Sequence, residues 1–309
     1  MTVAETARVA LMQINDERLG MREASGQPHY LSGSKCQPKV FNPFLVSRGA
    51  ASPVPGVTVV QVAFDAPWGW LASGWRDLWA APHVSLAYGA AFAVLSIGLT
   101  LGLMVSGLES LILALGAGFL LIGPIAAVGL YETSRRLEIG QRPGLGDILK
   151  VATQAPGQLG FFGAILAFLY VVWAQIAFLL FMLFIGSNPL PPANEFLPTL
   201  LFTPRGLGLL VSGTIVGGAI ALLVFAISAI SVPLLMTRRL DAVTAIRASL
   251  AAAIANPKPM ALWAALIAGF MALGIATLFV GLAFAFPLIG HATWHAFRDL
   301  VREQPTANL

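Results

Sequence analysis

The chain alternates between long apolar stretches and short polar segments. Five stretches have the roughly 20 apolar residues that a helix needs to cross a bilayer core about 30 Å thick: 84–105, 111–134, 159–185, 207–236 and 260–280. Residues 281–297 are also apolar, and because no polar turn precedes them they form either a short sixth helix or a continuation of the fifth. The pattern predicts an all-α, polytopic membrane helix bundle.

The basic residues favour six transmembrane helices over five. Residues 67–309 contain twelve arginines and lysines, which lie in short clusters between the apolar stretches. With six spans, eleven of the twelve fall on one side of the membrane and only Arg205 falls on the other. The positive-inside rule makes the basic side cytoplasmic. We therefore expect both termini in the cytoplasm.

Three short amphipathic segments each precede a pair of spans. In "WGWLASGWRDLWAAP", residues 68–82, Trp68, Leu71, Trp75, Leu78 and Trp79 share one helical arc of about 100°. This predicts a helix at the membrane interface, ended by Pro82, and its anchors are the four tryptophans Trp68, Trp70, Trp75 and Trp79. Residues 146–156 and 241–257 have the same design, with Asp147 and Asp241 as N-caps and a closing proline.

These segments, which we call elbows, suggest an internal repeat of three elbow-plus-hairpin units. The second span of each unit contains a proline that is expected to kink it: Pro124, Pro233 and Pro287. The middle unit needs a long insertion, for which the proline-rich residues 186–206 are the candidate. Close helix packing is expected at glycines spaced four apart: Gly98 with Gly102, and Gly213 with Gly217.

The amino-acid composition supports a membrane protein and limits the partners and sites that it can have. Of 309 residues, 57% are hydrophobic and only 10% are charged, and the mean hydropathy is +0.81, which excludes an ordinary soluble domain. The net charge of +4 lies in interspan clusters, so nucleic acid is not an expected partner. Cys36 is the only cysteine, which excludes an intrachain disulfide or a cysteine-ligated cluster.

The sequence pattern divides the chain into four parts. Residues 1–56 contain scattered prolines, glycines and serines, and we expect a disordered tail there. Residues 57–82 are expected to form a linker and the first interfacial helix, 83–300 the six-span domain, and 301–309 a short cytoplasmic tail.

Residues 70–82, "WLASGWRDLWAAP", and 85–103, "SLAYGAAFAVLSIGLTLGL", carry a family resemblance. The chain resembles, over about residues 65 to 300, an uncharacterised family of bacterial integral membrane proteins with a domain of unknown function. Some members are labelled similar to cytochrome c oxidase subunit I. The resemblance implies a bacterial inner-membrane location and brings no catalytic residue.

The residues themselves do not support the oxidase label. A haem–copper core needs several histidines at mid-membrane depth, whereas this chain has His29 in the tail, His83 beside the first elbow, and His291 and His295 near the inner end of the last span. His291 and His295 are spaced i, i+4 as a metal pair would be, but interfacial histidines near Trp294 are the favoured interpretation. No metal, cofactor or catalytic residue is therefore predicted.

Two other polar side chains in the spans have structural explanations. Glu132 is expected to pair with Arg136 at i+4 rather than relay protons. Gln175, near the middle of a span, either packs against a neighbouring helix or lines a polar cavity.

Three functional hypotheses follow. The leading one is a non-enzymatic accessory or assembly component that acts through helix contacts, with lipids and other membrane proteins, or a second copy, as partners. The alternative is a small permease or lipid-binding protein with a cavity at Gln175 and the proline kinks. A second alternative is a haem- or metal-binding protein of the respiratory chain that uses His291 and His295.

Overall fold

The computed structural model describes residues 57–108, 111–146, 148, 157–186 and 193–302, and these are almost wholly helical. The first helices are α1 Ala66–Ala80, α2 Pro82–Val105, α3 Ile112–Leu121, α4 Gly123–Ala126, α5 Val128–Glu138 and α6 Gly157–Phe184. They are followed by α7 Ala193–Phe202, α8 Pro204–Ser228, α9 Ser231–Thr237, α10 Ala242–Ala255, α11 Pro257–Ala276 and α12 Leu282–Leu300. Two short strands, β1 Thr58–Val59 and β2 Val301–Arg302, complete the described elements. The all-α class is confirmed.

Four segments of the described chain are long and apolar enough to cross a membrane, rather than the six expected. They are α2, α6, the combined α8 and α9, and α11, with mean hydropathies from 1.9 to 2.5. The expected span 111–134 is divided among α3, α4 and α5. The expected span 281–297 lies in the continuous helix α12, whose last two turns carry His295, Arg298 and Asp299.

Helix α12 is the centre of the bundle, although its sequence is less apolar than that of the four long segments. Fourteen of its 19 residues are buried, and it packs against α1, α2, α5 and α11. Glycines permit these close contacts: a Cβ on Gly74 of α1 would lie 2.7 Å from the Ala292 nitrogen, and one on Gly290 would lie 2.5 Å from Leu130 Cδ1. By contrast, α6 and α8 bury only a few residues each.

The three prolines of the expected kinks have different surroundings. Pro124 lies in the first turn of α4, directly after the break between α3 and α4. Pro233 is the third residue of α9, after a break at Ala229 and Ile230. Pro287 lies inside α12, which continues through it. A proline lacks the amide hydrogen of a helix interior, so it fits a first turn without cost and otherwise leaves the carbonyl four residues earlier unpaired.

The break between α8 and α9 is closed by a side chain from α10. The Ser249 hydroxyl accepts from the Ile230 amide at 3.3 Å and donates to the Ala226 carbonyl at 2.7 Å. Both serine and isoleucine are fully buried. Ser249 thereby satisfies backbone groups that would otherwise be buried without partners.

The first and third elbows are present as helices. Helix α1 ends at Ala80, two residues before Pro82, and α10 is capped by Asp241, which accepts from the Thr244 amide at 2.9 Å as expected. On α10 the small residues Ala245, Ala248, Ser249 and Ala252 face the protein, while Val243, Leu250 and Ile254 are exposed. The second elbow, 146–156, lies outside the described residues except for Gly146 and Ile148.

The start of the predicted linker is an ordered strand. Thr58 pairs with Arg302 and Val59 with Val301 in an antiparallel two-stranded ladder. The buried Asn256 amide holds the same segment from the other side, since it accepts from Val62 N at 2.8 Å and donates to Val60 O at 3.1 Å. The expected tails, 1–56 and the part of 301–309 after Arg302, lie outside the described residues.

Candidate functional site

A cluster of polar side chains lies where α1, α2, α5 and α12 meet. We call it the histidine cluster, and its members are Asp77, Ser85, Ser134, His291 and His295. Each of the four helices contributes at least one of these residues. Most of the surrounding side chains are apolar, so the cluster is the principal polar group within the packed centre of the described bundle.

His291 is the innermost member of the cluster. Its Nε2 is hydrogen-bonded to the Ser85 hydroxyl and its Nδ1 to the Ser134 hydroxyl, both at 2.8 Å. All three side chains are fully buried or nearly so. The expectation of an interfacial histidine is therefore wrong for His291, because the two serines supply hydrogen bonds that make its burial tolerable.

Asp77 and His295 form the outer edge of the cluster. His295 Nε2 lies 2.8 Å from Asp77 Oδ2, and the two side chains are 26% and 16% exposed. Burial raises the pKa of the Asp77 carboxyl, but hydrogen bonds from His295 and Ser134 favour the carboxylate more strongly, so its pKa is lowered overall. The cluster thus passes from a partly exposed contact between Asp77 and His295 to a buried hydrogen-bonded network around His291.

Further polar contacts tie α12 to its neighbours. Trp70 Nε1 donates to Asp299 Oδ2 at 2.8 Å, while Glu138 accepts from Trp294 Nε1 at 3.1 Å and from Arg298 Nε at 3.0 Å. These bonds lie toward the carboxyl end of α12, on the same side as the histidine cluster.

The expected pairing of Glu132 with Arg136 is confirmed. Arg136 Nε lies 2.7 Å from Glu132 Oε1, and Arg135 Nε lies 2.6 Å from Oε2 of the same carboxylate. Both carboxylate oxygens of Glu132 are thus bound by arginines in the last turn of its own helix, which gives Glu132 a structural role.

The cluster does not have the ligand set of a metal site. Within the described residues, no group of three or more His, Cys, Asp or Glu side chains converges as a metal requires. His83, the third histidine considered, is exposed on the first turn of α2. His291 has both ring nitrogens occupied by serines, so it has no lone pair directed at an open coordination position.

The comparison with known families concerns the middle of the chain. Residues 111–237 match the family model for a predicted integral membrane protein (DUF2189). The resemblance to an integral membrane protein family of unknown function is confirmed over this DUF2189 segment, which runs from just before α3 to the end of α9. The tryptophan-rich run 70–82 and α12 lie outside the segment. No curated protein and no solved structure matches the chain.

The match and the four long apolar segments together identify a multi-pass membrane protein. The histidine cluster joins the DUF2189 segment, through Ser134, to helices on both sides of it in the sequence. Members of the cluster from outside the segment come from α1, α2 and α12.

The four tryptophan anchors divide into two groups. Trp68, Trp75 and Trp79 are exposed by 49 to 56%, in positions suited to lipid headgroups. Trp70 is 1% exposed and packs edge-to-face on Trp263, with ring centroids 5.7 Å apart. Trp70 therefore anchors α1 to the protein and not to the membrane surface, because its ring points to the side where α11 and α12 lie.

Gln175 lies exposed on α6, away from the described cleft of the molecule. That cleft has a volume of about 610 Å³ and lies between the start of α6, the end of α9 and the start of α10. Its lining residues are Gln158, Leu235, Met236, Thr237, Arg238, Arg239, Leu240 and Asp241. The sequence did not single out this site, because its residues come from two separate regions of the chain.

The glycines expected to pack helices do so at one of four positions. A Cβ on Gly217 would lie 2.8 Å from the Trp173 ring, whereas Gly98, Gly102 and Gly213 face open space. The four-residue spacing of glycines identifies helix positions without a side chain, but it does not show which side of the helix packs against a neighbouring helix. The close approaches at the centre use isolated glycines, such as Gly74 and Gly290, which no four-residue spacing marks.

Proposed function

We propose that the chain forms six spans as three elbow-plus-hairpin units, with α3 to α5 and α12 as the second and sixth spans. Support comes from a contact that recurs when the units are taken in a ring: the second and third elbows pack against the second span of the unit before, and the first elbow packs against the second span of the last unit. Gly74 of α1 meets Ala292 of α12, Ile148 meets Gly129 of α5, and Ser249 of α10 closes the break between α8 and α9. Three contacts of one kind are what an internal repeat produces.

We further propose that the ends carrying the basic clusters face the cytoplasm of a bacterial inner membrane, as the positive-inside rule favours. Arg142 and Arg205 are both exposed and lie on opposite sides in this arrangement. With Cys36 replaced by serine, a single cysteine at position 205 should react with a membrane-impermeant maleimide in cells with a permeabilised outer membrane. A cysteine at 142 should react only after the inner membrane is opened, and the reverse result would invert the topology.

For function, we propose a non-enzymatic accessory or assembly component that acts through helix contacts. The observation that carries it is the filled and internally satisfied centre of the described bundle. Phe92 and Phe286 stack with centroids 3.8 Å apart, and every fully buried side-chain nitrogen or oxygen among the described residues has a hydrogen-bond partner. The buried serines of the histidine cluster are closed to a substrate, so the polar chemistry of this centre is used to hold helices together.

In contrast to the filled centre, the surface has apolar side chains and glycines that are open to another helix. Large apolar side chains are exposed along α6 and α8, and Gly98 and Gly102 lie one turn apart on α2 with open space around both. Bare backbone of this kind permits the close approach of another helix in a membrane.

The test uses native mass spectrometry of protein extracted from its own membrane in mild detergent. We expect a stoichiometric additional protein chain, and we expect Gly98→Leu with Gly102→Leu to remove it while the protein stays folded. Gly269→Leu, at an equally open glycine of α11, is the matched control and should keep the partner. A chain that is always alone, together with a specific solute flux that is lost on deletion of the gene, would overturn the proposal in favour of a permease.

A further inference from the structure

We propose that the cleft between α6, α9 and α10 is a binding site for the headgroup of an anionic phospholipid. Its basic side chains are Arg238 and Arg239, and its inner wall is formed by Leu235 and Met236. The volume of about 610 Å³ falls within the range of roughly 300–1,000 Å³ that is typical of ligand sites. The proposal is independent of the accessory role and of any protein partner.

The position of the cleft corresponds to the depth of lipid headgroups. One apolar segment ends at Thr237, immediately before the two arginines, and another begins at Gly157, immediately before Gln158. The cleft therefore lies at the ends of two candidate spans, where hydrocarbon gives way to water. Beside it, the exposed Val243 of α10 extends the apolar surface on which an acyl chain can lie.

The charges of the cleft favour an anion. Arg239 is exposed and has no hydrogen-bond or ion-pair partner among the described residues. The one carboxylate of the cleft, Asp241, is already used: one oxygen accepts from the Thr244 amide at 2.9 Å and the other from its hydroxyl at 2.7 Å. Arg239 is therefore available to an anion, in a cleft whose one carboxylate is committed to capping α10, and guanidinium matches phosphate in geometry and charge.

Gln158 joins two walls of the cleft by a hydrogen bond. Its Oε1 accepts from the Ala242 amide at 3.0 Å, which joins the start of α6 to the start of α10 across 84 residues. The apolar inner wall distinguishes a lipid from free phosphate, since Leu235 is buried and Met236 is half-buried beside the arginines. A soluble phosphate would gain nothing from that wall, whereas the glycerol backbone of a lipid would cover it.

The experiment is titration of the delipidated, full-length protein in detergent with dioleoyl phosphatidylglycerol or dioleoyl phosphatidylcholine, followed by native mass spectrometry. We expect one phosphatidylglycerol to bind preferentially. Arg239→Gln should weaken its binding about five-fold, since a basic residue near an anionic headgroup contributes about 1 kcal/mol. Arg239→Lys should keep most of the affinity because it preserves the charge.

Arg205→Gln is the matched control, because Arg205 is an exposed arginine at the opposite end of the same apolar segment. It should bind phosphatidylglycerol like the unchanged protein. Equal binding of the two lipids, or equal loss in Arg205→Gln and Arg239→Gln, would overturn the proposal. Competition by millimolar inorganic phosphate as effective as that by lipid would also overturn it, and would assign the cleft to a soluble phosphate ligand. Circular dichroism of each variant shows that a loss of binding is not a loss of fold.

Discussion

Gly89 of α2 lies directly against the Ala283 carbonyl of α12, and a Cβ on Gly89 would collide with that oxygen. Ala283 is four residues before Pro287, so its carbonyl is the one that the proline leaves without a helical hydrogen bond. The bare backbone of α2 is thus placed where α12 has an unpaired acceptor. A glycine Cα–H can approach such an oxygen closely, which gives the pair a physical reason to coincide.

Replacing Gly89 by alanine should therefore separate α2 from α12. We expect Gly89→Ala to lower the free energy of unfolding by about 1–3 kcal/mol, the usual cost of overpacking a tight contact. Gly98→Ala in the same helix faces open space and should leave stability unchanged or raise it by up to about 1 kcal/mol, since alanine favours a helix. Thermal unfolding of both variants in detergent measures the difference, and equal midpoints would contradict the packing described.

The histidine cluster predicts that substitutions of its members have non-additive effects on stability. His291→Leu leaves the Ser85 hydroxyl buried without its partner, at a cost of about 1–3 kcal/mol, whereas Ser134 keeps its hydrogen bond to Asp77. Adding Ser85→Ala to His291→Leu should recover part of this loss, because the unpaired hydroxyl is then gone. The midpoint of thermal unfolding should rank the double variant above His291→Leu alone. If the double variant is the less stable of the two, Ser85 does not depend on His291.

Asp77 predicts a pH dependence in the acidic range. Its pKa is lowered in the folded protein, because hydrogen bonds from His295 and Ser134 outweigh the effect of burial. The folded carboxyl therefore binds protons less readily than the unfolded one, with its ordinary pKa of about 3.9. The contribution of Asp77 to stability is complete above that value and is lost as the pH falls through the lower folded value. Unfolding midpoints of the unchanged protein and Asp77→Asn should converge as the pH falls below about 4, the unfolded pKa of the carboxyl, whereas parallel curves would argue against a lowered pKa.

The tryptophans predict a fluorescence experiment. Of the seven in the chain, Trp68, Trp75 and Trp79 are exposed and the other four are at most 7% exposed. In vesicles with lipids brominated near the headgroup, Trp68→Phe with Trp75→Phe and Trp79→Phe should remove most of the quenching. Trp70→Phe, as the control, should leave the quenched fraction nearly unchanged. Equal quenching in the two variants would show that α1 does not lie at the interface.

Local signals in the sequence predicted much of the architecture. The Asp241 cap, the prolines that separate α1 from α2 and α10 from α11, and the Glu132 pair all depend on residues within four positions of each other. Such features are set by helix geometry alone, so one sequence is sufficient to identify them.

The role of α12 was not predictable in this way. His295, Arg298 and Asp299 make its end appear suited to the membrane surface, yet these polar groups are used in contacts with other helices. The partners of His291 lie 206 and 157 residues away in the sequence, and no local pattern connects them. The same holds for Trp70, whose indole partner Asp299 is 229 residues away.

The central place of α12 also has a consequence for the order in which the protein is made. Ser85 leaves the ribosome 206 residues before His291, an interval of about 10 to 40 seconds at typical rates of synthesis. Until then, Gly74 of α1 and Gly89 of α2 lack the helix that they pack against in the finished structure. Since that neighbour is the last helix of the described chain, the central contacts of α1 and α2 can form only after nearly all of the described residues have been synthesised.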